Sequence, residues 1–124
     1  MKKWMCLFIL FAFQLAHADM ITCFFSEPFF KTIYDTNTRT LTYLSLDTQP
    51  NQTIHNVSFE FIGTNVFELV SESGNVLQTL TLHYKGNDGM SDALYPFEVK
   101  DSKKISDIQD SYGGCISSHL KKRE

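Results

Sequence analysis

The stretch LQTLTLHY, Leu77 to Tyr84, decides the fold. Leu80, Leu82 and Tyr84 fall on every second position, with Thr79, Thr81 and His83 between them. A period of two is the mark of a strand with one buried and one wet face. The same beat runs outward from it. TLTYLSL sets Leu41 and Tyr43 against Thr42, Leu44 and Leu46, and VSFEFI sets Val57, Phe59 and Phe61 against Ser58 and Glu60. VFELV sets Phe67 and Leu69 against Val66, Glu68 and Val70. LYPFEVK sends Tyr95, Phe97 and Val99 inward and Pro96, Glu98 and Lys100 outward. Pro96 cannot donate to a ladder, so it predicts an edge or a bulge there.

Turn chemistry separates these runs. Asp35–Thr38, Gly63–Asn65 and Ser73–Asn75 use residues that tolerate left-handed backbone or bond their own chain. Short strands joined by tight turns predict an antiparallel meander. About seven or eight of them close into a small all-β barrel or a two-sheet sandwich, with a core filled by side chains. Thr48–Asn56 reads as a loop, and Lys100–Gly114 as the least strand-like segment, where Ser106 or Asp107 could cap one helical turn.

The ends indicate where the protein works. MKKWMCLFILFAFQLAHA, residues 1–18, has a basic start, an apolar run from Trp4 to Phe13 and the small-x-small ending Ala16-His17-Ala18. That is the pattern of a secretory signal peptide, cleaved before Asp19. Removing 18 of the 124 residues leaves 106, one domain spanning 19–124, with a short basic tail at Lys121–Arg123. The run is short for a membrane span, so no integral span is expected after cleavage. The expected location is the periplasm or the outside of the cell.

The expected mature chain keeps nine of the 11 basic residues and all 14 acidic ones, a net charge of −5 with histidine neutral. Such a chain is a poor partner for nucleic acid. Two of the three cysteines remain, Cys23 and Cys115, near the two ends of an exported chain. They are expected to form a disulfide that closes nearly the whole domain.

No residue pattern predicts catalysis. His55, His83 and His119 stand apart in the sequence and read as solvated, and no known nucleophile, metal or phosphate motif occurs. No cofactor and no metal is expected. Two places carry unusual chemistry. Glu27 lies among phenylalanines in CFFSEPFF, where a carboxylate must reach water or a partner; capping of backbone N–H groups at the bend before Pro28 is the expected role. The loop GNDGMSDALY, Gly86 to Tyr95, crowds Asn87, Asp88, Ser91 and Asp92 around two glycines. Its spacing does not match a calcium loop. It is expected to be a self-bonded turn.

CFFSEPFF, DGMSDALYPF and GGC, in that order, resemble a family of small exported bacterial proteins of the kind bdellovibrios carry, which has no assigned activity. Part of the wider group is similar to the periplasmic and lipoprotein inhibitors of C-type lysozyme, small disulfide-linked β-barrels. Those inhibitors insert a loop bearing a serine and a basic residue into the enzyme's cleft. Ser91 sits in a comparable loop here, and no basic residue follows it at comparable spacing. The resemblance makes Asp88, Met90, Ser91, Asp92 and Tyr95 the candidate partner-binding residues. The expected function is therefore a non-catalytic exported barrel that binds a protein partner or supports the envelope. Inhibition of a lysozyme through the Gly86–Tyr95 loop is the alternative.

Overall fold

The computed structural model describes residues 19–26, 29–45, 51–102 and 111–120. Residues 1–18, where a signal peptide is expected, Glu27, Pro28, the 103–110 segment with its expected helical turn, and the basic tail lie outside the described residues. Nine antiparallel strands form one curled, half-barrel sheet: β1 Met20–Phe25, β2 Phe30–Asp35, β3 Thr40–Ser45, β4 Gln52–Ile54, β5 Ser58–Gly63, β6 Val66–Val70, β7 Val76–Gly86, β8 Tyr95–Asp101 and β9 Ser111–Ser117. The order is β4-β3-β2-β1-β9-β8-β7-β6-β5. The first and last strands therefore pair in the middle of the sheet, and among the described residues the open edges are β4 and β5, neighbours in the chain.

All five alternating runs are strands. Four more carry weaker signals. β4 lies within the stretch expected to be a loop, and it is only three polar-flanked residues long. β1 and β2 escape the simple alternation because they are apolar on both faces or polar inside. Phe24 and Ile33 lie half-buried on the outer face, while Thr32 is fully buried within.

One row of side chains crosses six strands on the inner face: Tyr43, Thr32, Cys23, Cys115, Phe97 and Leu82, each opposite the next. Around it Ile21, Phe25, Phe30, Tyr34, Leu41, Val57, Leu69, Leu80 and Val99 complete the core. Phe25 stacks on Phe30 with centroids 4.2 Å apart. At the centre of the row Cys23 and Cys115 are directly opposed and disulfide-bonded, 92 residues apart in sequence.

Polar groups bridge the concave interior. Tyr43 of β3 donates its hydroxyl to Asp101 of β8 at 2.7 Å. The Gln78 amide of β7 donates to the same carboxylate and to Thr32 of β2, both at 3.0 Å. Thr32, Gln78 and Asp101 are all fully buried. These bonds tie the β2–β3 wall to the β7–β8 wall, and they offset the cost of taking a carboxylate and an amide out of water. Burial, reinforced by the Asp101 charge, pushes the Tyr43 hydroxyl far up, so it remains a donor. Where β5 comes near β2, Tyr34 donates to the Val57 carbonyl at 2.7 Å and stacks on Phe59.

One inward assignment changes in the structure, that of Tyr95, next to Pro96. Pro96 is buried and lies on an interior strand. It is tolerated there because a bulge sets His83–Lys85 of β7 opposite Pro96 alone, and Tyr84 takes a positive φ of 55°. A bulge re-aims neighbouring side chains. Tyr95 accordingly does not join Phe97 and Val99. It lies over Gly114 and beside Phe24, on the face opposite the core. Phe59 and Phe61 keep the face their spacing gives them. They share the core-side face with Leu69 and Phe67, but β5 is an edge, and Phe61 stays 70 % exposed.

The disulfide joins the two strands on which the sheet is centred. Cys23→Ser is expected to destabilise the domain by about 2–5 kcal/mol in oxidising buffer. Urea unfolding of both proteins, with and without reductant, checks this; coincident midpoints without reductant would contradict it.

Candidate functional site

The Gly86–Tyr95 loop closes the β7–β8 hairpin and folds back over the outer face of the sheet. Asn87 begins it. Its side-chain oxygen accepts from the Gly89 N–H at 2.6 Å, and its amide donates to the Ser91 carbonyl at 3.1 Å. Gly89 has φ +83°, and a Cβ there would collide with the Ser26 hydroxyl at the end of β1. The positive φ calls for glycine, and any side chain there would also have to turn the Ser26 hydroxyl aside. Leaving out the side chain lets the loop lie directly on β1.

Asp88 is the hub. One carboxylate oxygen accepts from the Met90 and Ser91 N–H groups at 2.8 and 2.9 Å. The other accepts from the Tyr95 hydroxyl at 2.8 Å and the Ser91 hydroxyl at 3.1 Å. Burial by itself would raise the pKa of this carboxyl. The two backbone donors and the Tyr95 and Ser91 hydroxyls outweigh burial and hold it at about 2. Burial, the bond to Asp88 and the Asp88 charge together push Tyr95 up to about 12. Asp88 is therefore an acceptor and Tyr95 a donor across the ordinary pH range.

The Tyr95 ring anchors the network. A Cβ on Gly114 would stand 2.7 Å from its Cγ, and Phe24 lies 5.8 Å away, centroid to centroid. The adjacent glycines of GGC have different neighbours: Gly114 makes room for Tyr95 on the outer face, and Gly113 lies against Phe25 of the core.

The structure thus divides the five candidate residues. Asp88 and Tyr95 are buried within the loop's own framework, and Ser91 contributes its hydroxyl to it. Met90, 61 % exposed, and Asp92 point to solvent. Leu94, 46 % exposed, joins them. Sequence reading placed Leu94 at the start of a strand; its odd spacing from Phe97 and Val99 was the signal that it points away from the core. Glu27 lies outside the described residues.

The histidines occupy separate elements. His83 is half-exposed on β7, where its Nδ1 accepts from the Lys85 N–H at 3.1 Å and its Nε2 meets Glu98 at 3.0 Å, so it is paired instead of simply solvated. His55 is exposed between β4 and β5, and His119 is exposed just after β9. Among the described residues no three His, Cys, Asp or Glu side chains gather in a metal-sized group. No described helix is long and apolar enough to cross a membrane.

Comparison of the chain with protein-family models, with curated proteins and with solved structures gives no match.

Asp88→Ala would leave the N–H groups and hydroxyls it serves without their acceptor, and is expected to destabilise the protein by about 1–3 kcal/mol at neutral pH. Because its folded value lies below the ordinary 3.8, its contribution is complete above about pH 4 and is lost as pH falls toward 2. Stability curves of wild type and Asp88→Ala should converge over that window. Parallel curves would rule out the Asp88 role. Gly114→Ala is expected to cost about 1–3 kcal/mol through the Tyr95 clash, read from thermal unfolding.

Proposed function

We propose that the protein is an exported, non-catalytic half-barrel that binds a protein partner in the periplasm or outside the cell through the Gly86–Tyr95 loop. The observation that carries this reading is the Asp88 hub. Its bonds to Met90, Ser91 and Tyr95 hold the loop against the sheet while Met90 and Leu94 stay exposed. Exposed apolar side chains on a pre-formed loop lose little conformational freedom on docking. The buried disulfide suits an oxidising compartment.

Lysozyme inhibition is kept as a second reading because of charge. At −5 over residues 19–124, the chain would be steered toward a strongly basic enzyme. In this reading Ser91 acts through the loop shape that its bond to Asp88 secures.

Immobilised protein, residues 19–124, offered an envelope extract and C-type lysozyme side by side, tests both. A specific partner should be retained by wild type and lost, by at least about tenfold, from the Met90→Asp, Leu94→Asp double variant. If that partner is lysozyme, and Ser91→Ala with Asp92→Ala also releases it, the inhibitor reading is the correct one. Retention equal in wild type and loop variants would sink the loop as the binding surface.

A further inference from the structure

The two open edges of the sheet differ in chemistry. β4 is three residues long and presents Gln52 and Thr53 to solvent. β5 presents Phe59, Phe61 and Ile62, the last two 70 % and 50 % exposed. An aromatic file leads to them from the core. Phe97 meets Phe67 edge-on at 6.2 Å, and Phe67 touches Phe59 at 5.0 Å and Phe61 at 5.4 Å. Among the described residues no strand pairs with the outer side of β5. An apolar edge with unpaired backbone groups is a template for another strand.

The other face of the same edge is acidic. Glu60 stands directly opposite Glu68. Like charges so placed repel. Among the described residues neither has a basic group within ion-pair distance. Beside them opens a groove of about 430 Å³, whose lining includes Glu60, Glu72, Ser58, Asn56 and one cation, Arg39. Ser58 donates to Glu60, and Asn56 to Glu72, so both carboxylates are held in place within it.

We propose that the β5 edge docks an extended segment of a partner protein whose residues alternate between apolar and basic. Added as a further strand, the segment would bond the free backbone groups of Ser58–Gly63. Its apolar side chains would cover Phe59 and Phe61, and its basic ones would lie on the Glu60, Glu68 and Glu72 side. Strand addition of this kind takes affinity from main-chain bonds and specificity from alternate side chains. A second copy of this chain fits poorly. Antiparallel pairing of β5 with itself about Glu60 sets that residue against its own copy, beside a Glu68 on each side. The proposal rests on the binding-protein reading above and gives that protein a second contact surface, away from the loop.

The test is fluorescence anisotropy of the 19–124 protein with a labelled peptide of alternating Val and Lys, about ten residues, enough to span an ordinary strand. Controls are a Val–Glu peptide and a Val/Lys peptide with its alternation scrambled. The alternating Val–Lys peptide should bind, and neither control should. Phe61→Asp should weaken binding by at least about tenfold, although it adds negative charge. Because Phe61 is mostly exposed, unfolding curves should show that this variant remains folded. Glu60→Lys with Glu68→Lys should transfer the preference to the Val–Glu peptide. The Met90→Asp, Leu94→Asp variant should bind the peptide as wild type does, so edge and loop succeed or fail separately. Equal binding of the scrambled peptide, no effect of Phe61→Asp, or a dimer in sedimentation that Phe61→Asp dissolves without any peptide bound would each overturn the proposal.

Discussion

The pairing of β1 with β9 is the constraint on which the rest of the structure depends. Five consecutive residues of β1, Ile21 to Phe25, face Ser117 to Gly113, and the Cys23–Cys115 bond fixes the middle of that ladder. Bringing the ends of a chain together is entropically the most expensive contact a meander can make, and a covalent link removes most of that cost from the unfolded chain. Once the two terminal strands are joined in the centre, the remaining hairpins extend the sheet in both directions. The free edges then have to fall in the middle of the sequence, at β4 and β5. The exposed aromatic edge is thus a consequence of where the chain closes on itself.

The curl of the sheet is held by a different kind of force. Apolar packing alone is non-directional. The bonds from Tyr43 and Gln78 to Asp101, and from Gln78 to Thr32, are directional and span the interior. They set which wall faces which. The arrangement is not fully satisfied: the Gln78 carbonyl oxygen has no hydrogen-bond partner among the described residues. An orphaned buried acceptor costs stability, so the network trades some of it for a defined geometry.

The loop over β1 and β9 repeats this logic on the outer face. A carboxylate gathers the N–H groups and hydroxyls around it, and glycines at 89 and 114 let the loop and its tyrosine come close. Residues that look chemically active in sequence, Asp88 and Ser91 above all, are occupied in holding the loop's shape. The loop surface that stays exposed combines the apolar Met90 and Leu94 with Asn87, Ser91 and Asp92.

Local chemistry was enough for much of this. Alternation identified β3, β5, β6, β7 and β8, because a strand with one wet face writes its period into the chain. Turn residues placed the hairpins: Asp35 bonds the backbone at 37 and 38, and Asn65 and Gly74 adopt positive φ. Two cysteines near the ends of a chain expected to be exported implied their pairing, and the Asn-Asp-Gly composition of the loop implied that it bonds itself. Other features depend on partners distant in sequence, and no local pattern contains them. Thr32, Gln78 and Asp101 are polar residues at inward positions, made tolerable only by one another across the barrel. Tyr95 turns outward because a bulge on β7 breaks the beat of β8. Phe59 and Phe61 have the spacing of core residues, yet Phe59 is covered only in part and Phe61 remains in solvent, because their strand is the last in the sheet. Periodicity states which face a side chain takes; only the tertiary structure decides whether anything covers that face.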